Sequence, residues 1–469
     1  MWGVFGVMYP GRKAAGFPDS NFQDMLRHLT ILFFARAAAI ASRLSSLHSE
    51  NQAEFYFTGL FWSFWATLAL FPIGYGWREV MPPVCLVFLL LYYRRAWAHS
   101  VLARLEVFPL FCCFWGMLLI GVLFSGDPFN SLLHAGTGVN KGFILPFIAM
   151  ECVREEKDLR RLVWACVFAC FWQGMDSIWQ AHSGRDFIME YPLSFGRLTG
   201  SIGDYAAGNY IALALIPAFA LWFILRERFC RAGSAFLALA ILWPACFLLA
   251  GSAARSGVLA VAAALGLWWW CVREGDSVLR RCFLPCVAAS GLFALFTVLM
   301  LRWRTISSIS LANDGRWSLW ELAWRVFREN PWFGAGAGQY NAAFRALGLT
   351  PSGDPVTISH PHNLYLDILY AHGIVGAILG MAFLFGFLLW GYRRIQPGLL
   401  AEWQGKTSGL YWRFAAAFWI GYAGWLVNGI FGHDFYRTWW LGLAMSYLGI
   451  MAGAAVNGIQ PENEAKLHG

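Results

Sequence analysis

Runs of about 20 apolar residues recur along this chain, and each is long enough to cross a bilayer as a helix. Lipid offers no partner to backbone N–H and C=O groups, and a helix satisfies them within the segment itself. Twelve candidate spans result: 55–75, 80–93, 107–125, 136–153, 161–180, 206–225, 234–251, 256–273, 282–301, 373–391, 413–431 and 438–456. The second is short and contains Pro82 and Pro83. The expected fold class is an all-α integral membrane protein with about twelve transmembrane helices.

Composition agrees. Hydrophobic residues make up 58% of the 469 and charged residues 13%, against roughly 25% charged in a soluble domain. The net charge of +8 raises the question of nucleic acid. A nucleic-acid binder gathers its cations on one face, whereas here Lys and Arg come in small groups between apolar runs. No nucleic-acid partner is expected, and membrane lipid is. The eleven Cys sit in apolar runs or at their ends and imply no disulfide framework. Cys166 and Cys170 share a helix face without the second pair a zinc site needs, so they read as packing residues.

Loop charge sets the orientation. With the N-terminus in the cytoplasm, the inner segments hold 23 Lys and Arg and the outer ones 11, six of them in one long loop. This gives a multi-pass chain with both termini cytoplasmic. Residues 1–54 form a cytoplasmic or interfacial segment, in which the apolar stretch 25–43, broken by Arg27, Arg36 and Arg43, reads as an interfacial helix. Residues 55–301 hold spans one to nine, 302–361 a large outer loop, 362–456 the last three spans, and 457–469 a cytoplasmic tail.

Two outer segments, 181–205 and 302–361, exceed what a turn needs, and long connections are usually functional or disordered. In the second, Asp314 can cap a helix that runs to Asn330 and stops at Pro331. Trp317, Trp320, Trp324 and Phe327 fall on one face of it, and Glu321, Arg325 and Arg328 on another, as in a helix lying on a membrane surface. Gly334, Gly336 and Gly338 follow as a flexible or tight turn. No Gly-Lys-Ser/Thr follows them, so this is not a phosphate-binding P-loop.

The outer face is poor in cations, yet Arg197, Arg255 and Arg316 stand at or near its span ends, and Lys141 lies about ten residues inside a span. A charge at such depth is costly and marks a function unless it snorkels to the interface. Converging guanidinium groups suit a phosphate or pyrophosphate, which they grip bidentately. The competing reading of Arg255 is a pair with Asp204 or Asp434. His362, in His360-Pro361-His362-Asn363, ends the long loop where the tenth span begins, and imidazole is the commonest general base near neutral pH. It can equally serve as an interfacial hydrogen-bonding residue. His360 and His362 alternating with Pro make a poor zinc pair, and no His-Glu-x-x-His supports one.

The run HNLYLDILYAHGIVG, with His362, Asn363, Gly373 and Gly376 in fixed spacing, resembles the signature of the bacterial O-antigen ligase family. Arg197 in GRLTGSIGDYAAGNY, Arg255 in SAARSGVLA and Arg316 with PWFGAGAGQY resemble further blocks of the ligase and polymerase superfamily, in its order. The likeness covers roughly 130–390; residues 1–54 match nothing recognised. It implies a C-type membrane glycosyltransferase fold with a long periplasmic loop before the tenth span, in the bacterial inner membrane. It also implies transfer of an undecaprenyl-diphosphate-linked glycan to an acceptor at a periplasmic site, inverting, and without a metal or other cofactor.

In that reading Arg197, Arg255 and Arg316 hold the donor diphosphate with help from Lys141, and Arg255 and Arg316 also stabilise the charge that develops. His362 takes the acceptor proton or binds a phosphate as imidazolium. Asn363 orients, and Gly373 and Gly376 let the tenth helix pack closely, with Gly380 extending the stripe. An O-antigen ligase acting on the lipid A core is the favoured member. An O-antigen polymerase or a protein O-oligosaccharyltransferase would share the donor. A glycan or lipid transporter is disfavoured, because no internal repeat is seen.

Overall fold

The structure, a computed structural model, describes residues 49–73, 75–194, 196–203, 207–272, 316–342, 360–407, 409–432, 435 and 438–458. Fourteen α-helices stand among them: α1 Ser49–Leu70, α2 Tyr75–Ala96, α3 Val101–Arg104, α4 Pro109–Leu123, α5 Pro128–Glu151, α6 Glu156–Ser183, α7 Ala207–Ala218, α8 Leu221–Arg226, α9 Arg231–Gly251, α10 Arg255–Val272, α11 Arg316–Glu329, α12 Leu364–Trp403, α13 Tyr411–Asn428 and α14 Thr438–Asn457. No strand is among the described residues, only isolated bridges pairing Arg185 with Pro192 and Ser194 with Arg197. Met1–Phe55 and Tyr56–Gly469 form separate compact units, and the first is described only through the opening turns of α1.

Five helical stretches are long and apolar enough to cross a membrane: Glu156–Ser183, Ala207–Arg226, Arg231–Gly251, Leu364–Trp403 and Trp439–Asn457. Pro109–Leu123, Gly142–Glu151 and Arg255–Cys271 are apolar but shorter. Each expected span falls on a helix except 282–301, which lies outside the described residues, as do the 25–43 segment, Asp314 and the tail beyond 458. Pro82 and Pro83 sit inside α2 without ending it.

Helix ends follow local chemistry. The Asp127 carboxylate accepts from Asn130 N to cap α5, with Pro128 at its first position. Glu155 and Asp158 form a capping box for α6, and Gly184 at φ 81° ends it in the left-handed conformation. The core centres on α7, every residue of which is buried. It is ringed by α6, α9, α10 and α13. On the other side α5 packs along α14, where small residues allow backbone contact: a Cβ on Gly449 would stand 2.4 Å from Pro146 O, and one on Gly453 2.3 Å from Met150 O. All nine described cysteines are free thiols, with Cys166 and Cys170 buried in the core.

The helix α12 departs most from expectation. It begins at Leu364 rather than near 373, and its 40 residues would measure about 60 Å, twice a hydrocarbon core. Gly373, at φ 63° and ψ −167°, interrupts it. The helical bonds broken there are replaced by the segment after α11. Ala335 N and Gly336 N donate to Tyr370 O and Ala371 O at 2.8 and 3.0 Å, while Ile374 N and Val375 N donate to Pro331 O and Trp332 O at 2.8 and 3.2 Å. Ala337 N adds a bond to Gly121 O at the end of α4. Gly373 is therefore the corner of a backbone splice, not part of the small-residue stripe expected for it. Gly376 and Gly380 do face Met117 of α4: a Cβ on Gly376 would stand 3.7 Å from its Cγ, and one on Gly380 2.6 Å from its Sδ. Gly334, Gly336 and Gly338 form the tight alternative of the expected turn, for all three have positive φ and a Cβ on any of them would meet neighbouring chain.

The amphipathic helix is α11, and its buried face takes in only Phe327 of the aromatic one. Leu322, Ala323, Val326 and Phe327 pack with Tyr340, Tyr370 and Ala371 into a second core, while Trp317 and Trp324 stay exposed. Glu321 and Arg325 pair on the polar side.

Candidate functional site

The His-Pro-His-Asn segment is fixed from four directions. The Asn363 carboxamide oxygen accepts from Tyr365 N and Leu366 N at 2.9 and 3.0 Å, capping α12, so this atom is spent on the helix start. Trp320 of α11 donates from Nε1 to Pro361 O at 3.0 Å and stacks on Phe431. His362 N donates to His360 Nδ1 at 3.2 Å, and the two imidazoles lie 4.1 Å apart. His362 Nδ1 faces Gly432 O at 3.3 Å, in the turn after α13. His362 itself has φ 54°, a conformation uncommon outside glycine.

That turn is tied to the start of α12. Leu364 N donates to Gly429 O at 2.8 Å, and Phe435 N donates to Asp367 Oδ2 at 2.9 Å. Asp367 is buried, and its negative charge, after burial itself, holds the Tyr340 phenol above its ordinary pKa.

From the same turn a buried polar chain runs towards Arg255. Asn428 accepts from Trp440 Nε1 at 2.9 Å and donates to Asn209 Oδ1 at 3.2 Å. Asn209 Oδ1 also accepts from Ser256 Oγ at 2.8 Å, one residue past Arg255. Arg255 is exposed at the start of α10, behind a tight turn in which Ala253 takes φ 53°. Arg197 joins this corner through its neighbour, since Leu198 N donates to Gly251 O at 3.1 Å. Arg197 is half-buried and pairs through its backbone with Ser194.

The loop carrying Arg197 is held by a polar stripe on α6 that sequence reasoning passed over. Gln180 Oε1 accepts from Thr199 N and Gly200 N at 2.8 and 2.9 Å, and its Nε2 donates to Tyr191 O at 3.1 Å. Asp176 accepts from Phe187 N and Ser201 N, each at 2.8 Å, and Gln173 accepts from Ser201 Oγ at 2.8 Å. Polar residues three and four apart in an apolar run were the signal available, as were Asn209 and Asn428 inside spans.

The structure thus brings Arg197, Arg255, His362 and Asn363 to one end of the bundle. Arg316 opens α11, four residues before the Trp320 that holds Pro361 O, and Lys141 lies within α5 next to Gly142, on which a Cβ would meet Leu441 of α14. The side chains of Arg316 and Lys141, together with Asp204 and Asp434, lie outside the described residues. Among the described residues no three His, Cys, Asp or Glu side chains gather as a metal site would need. Cations at the opposite end are paired differently: Arg160 bridges Glu156 and Glu227, and Arg413 lies beside Glu402.

Comparison with known proteins bears on this end. Residues 240–381 match the family model described as O-Antigen ligase. That stretch, about a third of the chain, is similar to the O-antigen ligase family domain. The matched residues take in Arg255, Arg316, His362, Asn363, Gly373 and Gly376, whereas Arg197 and Lys141 precede them. No curated protein matches the chain. The family and the long apolar helices together mark an all-α, multi-pass membrane protein.

Proposed function

We propose that this protein is a ligase-type glycosyltransferase. It moves O-antigen polysaccharide from undecaprenyl diphosphate to the lipid A core, at the periplasmic face of a bacterial inner membrane. The observation that carries the reading is the setting of His362 within the family domain, its Nδ1 3.3 Å from Gly432 O. A carbonyl only accepts, so a bond there puts the ring proton on Nδ1 and leaves the acceptor lone pair at Nε2. That is the tautomer a general base needs.

In the proposed step the acceptor hydroxyl gives its proton to Nε2 as its oxygen attacks the anomeric carbon. The bond from that carbon to the diphosphate oxygen breaks, and the single displacement inverts the centre. Arg197, Arg255 and Arg316 meet the charge left on the departing diphosphate, with Lys141 as a further cation. Because these cations are side chains, the reading requires no metal. Asn363 acts through the helix cap that fixes the imidazole.

The test is His362→Ala, checked for insertion and abundance, with lipopolysaccharide read in cells. Loss of a general base should slow transfer roughly 10²–10⁴-fold, leaving bare core while lipid-linked polymer accumulates. Undiminished transfer removes the base role. Deletion separates the relatives: cores bearing a single repeat unit identify a polymerase, and an unglycosylated protein identifies a protein O-oligosaccharyltransferase.

A further inference from the structure

The helix α6 shows which of its faces meets lipid. Between Arg161 and Gln180 its exposed side chains are Trp164, Phe168, Phe171, Met175 and Trp179, at spacings of four, three, four and four. These intervals keep them on one face of a helix. All five are large and apolar, and the opposite face holds the buried Gln173, Asp176 and Gln180. From Arg161 to Trp179 the helix rises about 27 Å, close to the hydrocarbon thickness of about 30 Å. A Trp at the end of such a stripe marks the interface.

The stripe does not stop at the helix end. The chain folds back so that the Phe187 ring meets the Trp179 ring edge-on, with centroids 5.7 Å apart. Phe187, Ile188 and Met189 follow one another with exposures of 72%, 41% and 37%. Three consecutive apolar side chains at a loop tip are costly in water. This tip is rigidly built. The Asp186 carboxylate accepts from Ile188 N and Met189 N at 3.1 and 2.6 Å and from Tyr191 N, while Asp176 takes Phe187 N. Every backbone donor from 187 to 189 is thus bound to a carboxylate, and the side chains are turned outward. Arg185 and Glu190, both exposed, flank the tip as interfacial charges do.

We propose that Phe187, Ile188 and Met189 form a bilayer anchor, inserted among lipid acyl chains at the depth of Trp179. The occupant is membrane lipid, because the patch continues the lipid-facing stripe of a membrane-spanning helix. The anchor fixes the depth of the whole 184–203 loop, Arg197 included, relative to the headgroups.

The experiment places p-benzoylphenylalanine at Phe187, and separately at Ile188, in the full-length protein. The protein is held in nanodiscs of phosphatidylethanolamine and phosphatidylglycerol, irradiated and digested for mass spectrometry. The same replacement at Phe171, on the stripe, and at Arg328, exposed on α11, sets the upper and lower references. Phospholipid adducts at 187 or 188 in yield comparable to 171 support the anchor. Yields as low as at 328, or adducts to protein alone, overturn it. Lipid contact is read without glycan transfer, so the result stands whatever reaction the protein catalyses.

Discussion

Asp367 separates two ways in which a residue can serve His362. Its carboxylate holds Phe435 N at 2.9 Å, and Phe435 closes the turn whose Gly432 carbonyl faces the imidazole. Asp367→Ala leaves that buried amide without its acceptor, at a cost of about 1–3 kcal/mol. The turn then shifts and the imidazole loses the group that selects its tautomer. Asp367→Asn keeps an oxygen in the same place. The expected outcome is a large loss of kcat with little change in KM for Asp367→Ala, and activity nearer wild type for Asp367→Asn, measured with lipid-linked donor in nanodiscs. Equal loss in both would assign the effect to charge rather than to the turn. At Arg255 the prediction is the reverse of conservative: Arg255→Lys should cost on the order of 10²-fold in rate, because a point charge cannot reproduce a bidentate grip. A lysine enzyme as fast as wild type would exclude that grip. The arginines and His362 were legible in the sequence because a lone cation or imidazole at a span end needs a reason. Asp367 was not, because an acid in the first turns of a helix is explained by the dipole alone.

At the scale of elements, the kink in α12 and the turn segment 331–337 stabilise each other through four backbone bonds. The helix gives up its own i→i+4 pairs, and a chain stretch some forty residues earlier supplies the replacements. An alanine at Gly373 would need φ 63° and would bring its Cβ to 2.4 Å from Phe333 N and from the Trp332 carbonyl, all backbone that cannot rotate away. A side chain at φ 63° and ψ −167°, a region essentially reserved for glycine, alone costs about 1–3 kcal/mol. Gly386→Ala on the same helix meets only the tips of Leu110, at 2.8 and 3.0 Å, which can turn aside. Gly373→Ala should therefore lower the melting temperature of the solubilised protein sharply and Gly386→Ala only slightly, as followed by size-exclusion chromatography after heating. Similar losses in the two would show that the splice is not what stabilises this region. The sequence showed the glycines and their spacing, and small-residue packing was the natural inference. A splice between distant segments leaves no periodic trace, so its partner could not be read. The same holds for the face of α11: Trp spacing marked an amphipathic helix, but only tertiary contacts reveal that Leu322, Ala323, Val326 and Phe327 are the inner side.

Across the whole molecule the two ends of the bundle treat charge differently, and this difference carries the orientation. At one end Arg154, Lys157, Arg160 and Arg161 crowd the few residues around the start of α6, and Arg226 ends α8 with Arg228 and Arg231 just beyond it. Several are paired with Glu155, Glu156 and Glu227. The other end has Arg197 and His362 on two long segments and Arg255 in a tight turn, while its remaining short connections are nearly free of cations. Dense cations in short loops resist translocation, so the first end is expected in the cytoplasm and the His362 end outside. Hydropathy alone reveals the helices, and the charge count adds their direction, but neither could show that the Arg197 and Arg255 loops meet through Leu198 and Gly251. The orientation is tested with reporters placed at both ends. Green fluorescent protein fused after Asn457 should fluoresce in cells, and alkaline phosphatase fused at the same place should be inactive. A protease site inserted after Ala342 should be cut in intact spheroplasts, whereas one inserted after Arg228 should be cut only once the membrane is opened. The opposite pattern would put His362 on the face where undecaprenyl-linked glycans are not presented for ligation, and the proposed reaction would fail with it.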